Sequence, residues 1–153
     1  NIKVIIMEKL KLTIVLLFSC MSHYMVAQNA LKDKVAVKNH SDKVMMFFGK
    51  SDFDSAFQEL RKFYPVSELD YQTLKTKSTE NLRSATVGFG KITGDVFISE
   101  EILKDFAVRR NYLIKLEKIL LRFNIVYYNG IDGWIVNSFN WDDNFEVYFE
   151  KSN

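Results

Sequence analysis

Three aspartates near the C-terminus are the residues whose type and spacing come closest to supporting chemistry. Asp132 lies in a predicted turn, and Asp142 and Asp143 lie together in the next one. Paired carboxylates can act as acid and base in hydrolysis or can bind Ca²⁺. Turn aspartates are also common for structural reasons, and this spacing matches no EF-hand loop. A carboxylate-based hydrolase that uses two of them is therefore an alternative hypothesis, and no catalytic residue is assigned.

Two glycine-containing segments have only part of the pattern of a nucleotide-binding loop. Gly49-Lys50-Ser51 ends like a phosphate-binding loop, but Val44 stands where the first glycine is required. Gly88 to Gly94 has the spacing G-x-G-x-x-x-G, and a predicted hairpin rather than a helix follows it. Neither segment predicts a bound nucleotide or another cofactor.

Histidine and cysteine are too few for the usual metal and thiol chemistry. The chain has one Cys and two His, and cleavage after Ala27 would leave only His40. His40 is predicted to be a solvated residue of a polar turn. A secreted chain of this composition excludes disulfides, thiol catalysis and a Cys/His zinc site, so no metal site is predicted.

Arg109 fits its local pattern least well. The predicted long helix places it near the middle of an apolar face, where a guanidinium needs a carboxylate partner. Two interpretations stay open. Arg109 either pairs with a structural acid or reaches solvent past the sheet edge, or it faces an anionic ligand in a pocket.

Aromatic residues are concentrated in the C-terminal strands. Because neighbours along a strand alternate between faces, some of these rings must point away from the core. An exposed aromatic row favours protein or glycan contacts. The aromatic residues concerned are Tyr127, Tyr128, Trp134, Trp141 and Tyr148. The predicted binding residues are Arg109, Trp134, Trp141, Asp142 and Asp143.

The segment from Met7 to Gln28 has the three parts of a secretion signal. Lysines near its start precede the apolar run Leu12–Phe18, and Ala27 is a small residue suited to cleavage. The apolar stretch is shorter than the roughly 20 residues of a membrane span, so no span is predicted. Leu17 to Cys20 resembles a bacterial lipobox, which makes lipidation of Cys20 an alternative to cleavage. The predicted location is the periplasm or the outside, or alternatively the outer membrane as a lipoprotein.

The rest of the chain is long enough for one domain. We predict upstream residues and a cleaved signal over 1–27, a loose leader over 28–34 and a single domain over 35–151. The whole chain has 21 Lys and Arg against 19 Asp and Glu. Residues 1–27 carry three of these bases and one acid, so the remainder has 18 of each. Nucleic-acid binding therefore lacks an electrostatic basis.

Hydrophobic periodicity and turn residues predict an α+β fold. A helix opening at Ser51 has an apolar stripe, and a longer one spans Ser99 to about Asn124. The predicted strands are Val35–Val37, Val44–Phe48, Ala85–Ile92, Val96–Ser99, Ile125–Tyr128, Trp134–Phe139 and Phe145–Glu150. These elements form an antiparallel sheet, a C-terminal three-stranded meander plus N-terminal hairpins, packed on one long helix and one shorter helix. The order of a long helix and a meander resembles cystatin-like and NTF2-like architectures over roughly the last 55 residues, and implies no function.

The function predicted from these observations is that of an exported, small, non-catalytic binding domain of the bacterial envelope. Protein or glycan is the expected partner, held through an aromatic sheet face. An immunity or inhibitor protein is a second alternative beside the hydrolase, because small size, neutral charge and an aromatic face suffice for it.

Overall fold

Within residues 29–150, which the computed structural model describes, three helices precede a four-stranded antiparallel sheet. The strands pair in the order β1-β2-β3-β4, and a short helix follows β4. The elements are α1 (Lys34–Gly49), α2 (Phe53–Arg61), α3 (Glu68–Phe89), β1 (Ile92–Leu103), β2 (Ala107–Leu116), β3 (Leu120–Gly130), β4 (Gly133–Asp142) and α4 (Val147–Glu150). The predicted α+β class is confirmed, although several elements differ from their predictions.

The N-terminal helix α1 replaces two predicted strands. The carboxylate of Asp33 caps the helix by accepting a hydrogen bond of 2.7 Å from the backbone N–H of Ala36. The helix buries residues three and four apart, and both predicted strands, Val35–Val37 and Val44–Phe48, lie within it. The predicted turn between them faces partly to solvent as a helix surface, which is why its polar residues suggested a hairpin.

The next helix, α2, confirms the predicted apolar stripe. Asp52 rather than Ser51 caps it, and Phe53, Phe57 and Leu60 are buried. The longer α3 takes up the ambiguous segment after Pro65 and most of the predicted strand Ala85–Ile92, so that strand prediction is wrong. Among the residues of α3, only Tyr71 and Leu82 are fully buried, so its sequence carries little helical periodicity.

The predicted long helix over Ser99 to Asn124 is also wrong. This stretch holds the end of β1, all of β2 and the start of β3. A turn with Lys104 at φ 53° separates the first two strands. In β2 the buried residues recur every second position, which is the period of a strand with one dry face. The leucines of this segment fit both the helical and the strand spacing, and packing in the sheet favours the strand.

The C-terminal part keeps two of its three predicted strands. Ile125–Tyr128 lies in β3 and Trp134–Phe139 lies in β4, and the hairpin closes where Gly130 faces Gly133. Phe145–Glu150, predicted as a strand, instead includes α4. The predicted turn at Thr93–Asp95 is a shift of register inside β1.

One face of the sheet packs against α1 and α2, and we call it the inner face. Aromatic rings fill this layer: the Phe48 centroid lies 4.8 Å from that of Phe123 and 5.4 Å from that of Phe57. Burying one such side chain contributes roughly 1.5–3 kcal/mol. Part of the predicted loose leader joins the fold, because Leu31 is buried and exchanges two backbone hydrogen bonds, of 2.7 and 2.9 Å, with Trp134.

Candidate binding surface

Arg109 lies on the outer face of β2 rather than on an apolar helix face. Its guanidinium is half exposed and forms an ion pair of 3.2 Å with Glu101 on β1. The placement expected from the long helix is therefore corrected, because a strand turns this side chain away from the helices. Of its two interpretations, pairing with an acid is the arrangement observed.

The two tryptophans lie on the inner face and do not form an exposed aromatic row. Trp134 is buried at the start of β4, with the Lys34 ammonium 5.9 Å from its ring centroid. Trp141 is half-buried and packs against the core. Among the other C-terminal aromatics named above, Tyr128 is exposed, Tyr127 is buried and Tyr148 is half-buried.

The three aspartates do not converge on one site. Asp132 lies at the β3–β4 hairpin, whereas Asp142 and Asp143 lie at the other end of β4. A strand of that length separates its two ends by roughly 30 Å, far beyond the separation of glycosidase carboxylates. Asp142 also accepts hydrogen bonds of 3.0 and 2.5 Å from Arg122, and Asp143 is exposed. A hydrolase that pairs Asp132 with Asp142 or with Asp143 is therefore ruled out by geometry.

His40 is buried within α1, so its predicted place in a solvated turn is wrong. Its Nδ1 lies 2.7 Å from the hydroxyl oxygen of Tyr127, and its Nε2 lies 3.1 Å from the carbonyl oxygen of Glu59. Burial lowers the pKa of His40 below its ordinary value of 6.5, although the Glu59 carbonyl opposes this change. His40 therefore serves as a neutral, hydrogen-bonded core residue.

Sequence analysis did not identify Arg110, a buried cationic residue next to Arg109. Its side chain is only 4% exposed and lies on the inner face of β2. Its guanidinium donates to Glu100, to Asp42 at 3.1 Å and to the Tyr112 hydroxyl at 3.0 Å. The guanidinium carbon also lies 4.5 Å from the Phe97 ring centroid. Two adjacent arginines in one strand were the signal that could have revealed it, since adjacent side chains point to opposite faces and one of the two had to face inward.

The hydrogen bonds around Arg110 continue into α1. The Tyr112 hydroxyl donates to Asp42 at 2.7 Å and lies 3.0 Å from the Ser41 hydroxyl. Burial is the main reason that the pKa of Tyr112 rises to about 12. Burial also acts to raise the pKa of Asp42, but hydrogen bonds from Lys38 and Tyr112 and the Arg110 charge outweigh it and hold that pKa low. Asp42 is therefore a carboxylate that ties α1 to β2.

These groups line a shallow cleft of about 390 Å³ between α1 and β1. Two basic and two acidic side chains neutralise each other there, and Phe97 supplies an apolar wall. The lining residues are Lys38, Asp42, Phe97, Glu100 and Arg110. Over residues 29–150, no group of three or more His, Cys, Asp or Glu side chains is arranged to hold a metal ion. A neutralised cleft with one aromatic wall suits contact with another polypeptide better than capture of a small ion.

The cleft borders the free edge of β1, and this edge is the most exposed apolar feature of the sheet. At the opposite edge, the beginning of β4 is covered by Leu31 and by the Phe63 carbonyl, which accepts a hydrogen bond of 2.8 Å from the Val136 N–H. Among the described residues, no backbone hydrogen bond joins β1 to a segment on its other side. Its exposed apolar side chains are Val96, Phe97, Ile98, Ile102 and Leu103. We call these five residues and their backbone the β1 edge.

Across the part of the chain that is described, no helix has the length and apolarity needed to cross a membrane. The predicted signal and the alternative lipidation site at Cys20 lie outside residues 29–150.

Comparison with known proteins leaves the family open. No family model matches the chain, and no curated protein is significantly similar to it. A solved structure from Campylobacter jejuni, whose description assigns it provisionally to the NTF2-like transpeptidases, is 15% identical. The match covers 67% of this chain and 94% of the chain in that structure, with a TM-score of 0.40. Similarity at this level supports no functional argument, so function is argued below from this chain's own geometry.

Proposed function

We propose that this protein is a small, non-catalytic binding domain that takes up an extended segment of a protein partner along the β1 edge. The single observation that carries the proposal is the contrast between the two edges of the sheet. The beginning of the β4 edge, at Trp134 and Val136, is covered by the chain itself, whereas the β1 edge combines free backbone groups with exposed apolar side chains. Proteins usually shorten, charge or cover such an edge, because it pairs readily with another chain.

Addition of a strand would satisfy both properties of this edge at once. The partner's backbone would pair with the free N–H and C=O groups of β1, and its alternate side chains would cover the exposed apolar ones. Phe97 belongs to both the β1 edge and the cleft, so side chains on one face of an added strand would reach the cleft. A glycan lacks the regular backbone donors and acceptors of a strand, so we favour a protein partner.

We also propose that the protein is exported, which agrees with the signal-like segment from Met7 to Gln28. In the envelope, a domain with an open sheet edge could serve as an interaction partner or, as a sub-case, as an immunity or inhibitor protein. Both roles would use the same edge, and both would be lost with it.

Site-specific photo-crosslinking in the native host tests the binding surface. A photoreactive benzoylphenylalanine replaces Ile102 on the β1 edge or, as the control, Val87 on α3, which is 88% exposed. We expect irradiation to give a discrete adduct with a polypeptide from position 102 and none from position 87. The adduct should weaken when Ile98→Lys places a charge on the same edge. Adducts of equal yield from both positions, or no adduct from position 102, would refute the proposal.

A further inference from the structure

We infer that one end of the sheet is a surface for contact with a lipid bilayer. The β1–β2 turn and the β3–β4 hairpin form this end, and the Asn129 N–H joins them by donating a hydrogen bond of 2.8 Å to the Phe106 carbonyl oxygen. Its apolar side chains are Leu103, Phe106, Tyr128, Ile131 and Ile135, and we call these five residues the apolar end. Only Leu103 also belongs to the β1 edge, so contact with a bilayer and binding of a partner strand are independent properties.

A row of side chains across all four strands forms the base of the apolar end. Ala107 of β2 pairs with Leu103 on one side and with Tyr128 on the other, and Tyr128 pairs in turn with Ile135. All four side chains lie on the outer face, which α1 and α2 do not cover. Because neighbouring strands lie about 4.8 Å apart, the row is roughly 14 Å wide. Leu103 and Tyr128 are exposed in it, at 58% and 46%.

The depth of the apolar end matches shallow insertion into the interface of a bilayer. Ile131 at the hairpin tip is completely exposed and lies three residues beyond Tyr128, or roughly 10 Å. In the other direction, the next row of the outer face begins with the ion pair between Glu101 and Arg109. Interfacial helices bury their apolar face roughly 5–10 Å deep, and tyrosines are enriched at the level of the headgroups. The apolar layer therefore has a suitable thickness, with Tyr128 at its polar boundary.

The charged side chains that surround the apolar end balance each other. They lie in the two turns and in the segment that leads into α1. The bases are Lys32, Lys34 and Lys104, and the acids are Asp33, Asp105 and Asp132. Attraction to anionic headgroups would therefore contribute little, and apolar contact would provide most of the binding.

The apolar surface continues to the point where the N-terminal segment joins the domain. Leu31 pairs with Trp134 directly beside the hairpin tip. A shallow hollow of about 290 Å³ lies between the hairpin and this segment, and Ala30, Ile131 and Ile135 are among its lining residues. The chain that leads back to the signal-like segment therefore starts at the apolar end.

The length of that chain favours a bilayer as the occupant of this surface. Cys20, the alternative lipidation site, precedes Asn29 by nine residues. Nine residues reach at most roughly 30 Å. A lipid on Cys20 would therefore tether the domain by its apolar end, and exposed apolar side chains beside such a tether would add contacts that the lipid alone does not provide.

Photo-crosslinking in the native host tests this inference with the protein as the cell processes it. Benzoylphenylalanine, which reacts with C–H bonds of acyl chains as well as of polypeptides, replaces Ile131 or, as the control, Val87. Val87 is 88% exposed and lies toward the opposite end of the sheet, because the Phe89 carbonyl of α3 accepts a hydrogen bond of 3.1 Å from the Lys118 N–H in the β2–β3 turn. We expect irradiation to add the mass of one phospholipid to the protein from position 131, and to give no lipid adduct from position 87.

A charge placed in the apolar end provides a matched variant. Phe106→Asp lies outside the β1 edge and should lower the yield of the lipid adduct at position 131 about tenfold, because a carboxylate resists transfer out of water. Val87→Asp should leave that yield unchanged, and thermal unfolding checks that both variants are folded. A polypeptide adduct at position 131, no adduct there, or lipid adducts of equal yield from both positions would overturn the inference. A yield that folded Phe106→Asp leaves unchanged would also overturn it, whereas a protein adduct at position 102 would stand in every case.

Discussion

The neighbouring arginines of β2 should contribute very differently to stability, although each is paired with a glutamate of β1. Arg110→Met removes a cation that is 4% exposed and leaves Asp42 and Glu100 without it. Breaking a fully buried ion pair costs about 3–5 kcal/mol. These carboxylates keep side-chain exposures of 38% and 31%, so water screens part of the penalty. We expect the free energy of unfolding to fall by about 2–4 kcal/mol.

Arg109→Met is the matched control on the other face of the same strand. Its ion pair with Glu101 is half exposed, so its loss should cost at most about 1 kcal/mol. Urea unfolding followed by tryptophan fluorescence measures both variants. With a slope of about 2 kcal/mol per molar urea, the midpoint should fall by about 1–2 M for Arg110→Met and by less than about 0.5 M for the control. Asp42→Asn added to Arg110→Met should recover part of the loss, because it removes a carboxylate that has lost one of its two cationic partners. Equal losses for the two arginine variants would refute the assignment of Arg110 to the inner face.

Three further outcomes follow from other parts of the fold. Because burial lowers the pKa of His40, the unfolded chain binds its proton more readily, so the free energy of unfolding should rise from about pH 5.5 to about pH 7. His40→Gln should flatten that rise in urea titrations, and a slope unchanged by His40→Gln would contradict the explanation. Gly133→Ala should cost about 1–3 kcal/mol, because φ is 121° and the new Cβ would lie 2.8 Å from the Leu31 carbonyl oxygen. Gly88→Ala, in α3 where the new Cβ would meet nothing within 4 Å beyond the adjacent residues and backbone of its own helix, should instead raise stability by about 0.5–1 kcal/mol in thermal unfolding, and a loss there would count against the helix.

The parts of the fold that local signals determine were predictable from the sequence. In α2, a polar cap precedes an apolar stripe, and both depend on residues within a few positions of each other. The β3–β4 hairpin is similar, because Gly130 and Gly133 mark its turn between two apolar runs. Such elements need little information from distant parts of the chain.

The β1–β2 hairpin and the binding surface depend on distant contacts, and this is why they were missed. The stretch from Ser99 to Asn124 has apolar residues at both helical and strand spacing, and only pairing with β3 decides between them. Arg110 could not be distinguished from Arg109 without the register of β2. Its partner Asp42 lies 68 residues earlier in the chain, on a segment predicted as a turn. The β1 edge is exposed only because β1 ends the sheet, which no local pattern shows.

The bond between Asp42 and Arg110 also determines which face of β2 turns toward α1. Glu100 and Glu101 stand opposite Arg110 and Arg109. A slip of one residue would still set a glutamate opposite an arginine while turning the apolar side chains to the wrong face. Charge pairing inside the hairpin therefore tolerates the error. Asp42 opposes a slip in which β2 is the strand that turns over, because α1 can reach only a cation on the inner face. Docking of the helical layer therefore favours the arrangement in which Arg110, and not Arg109, faces α1.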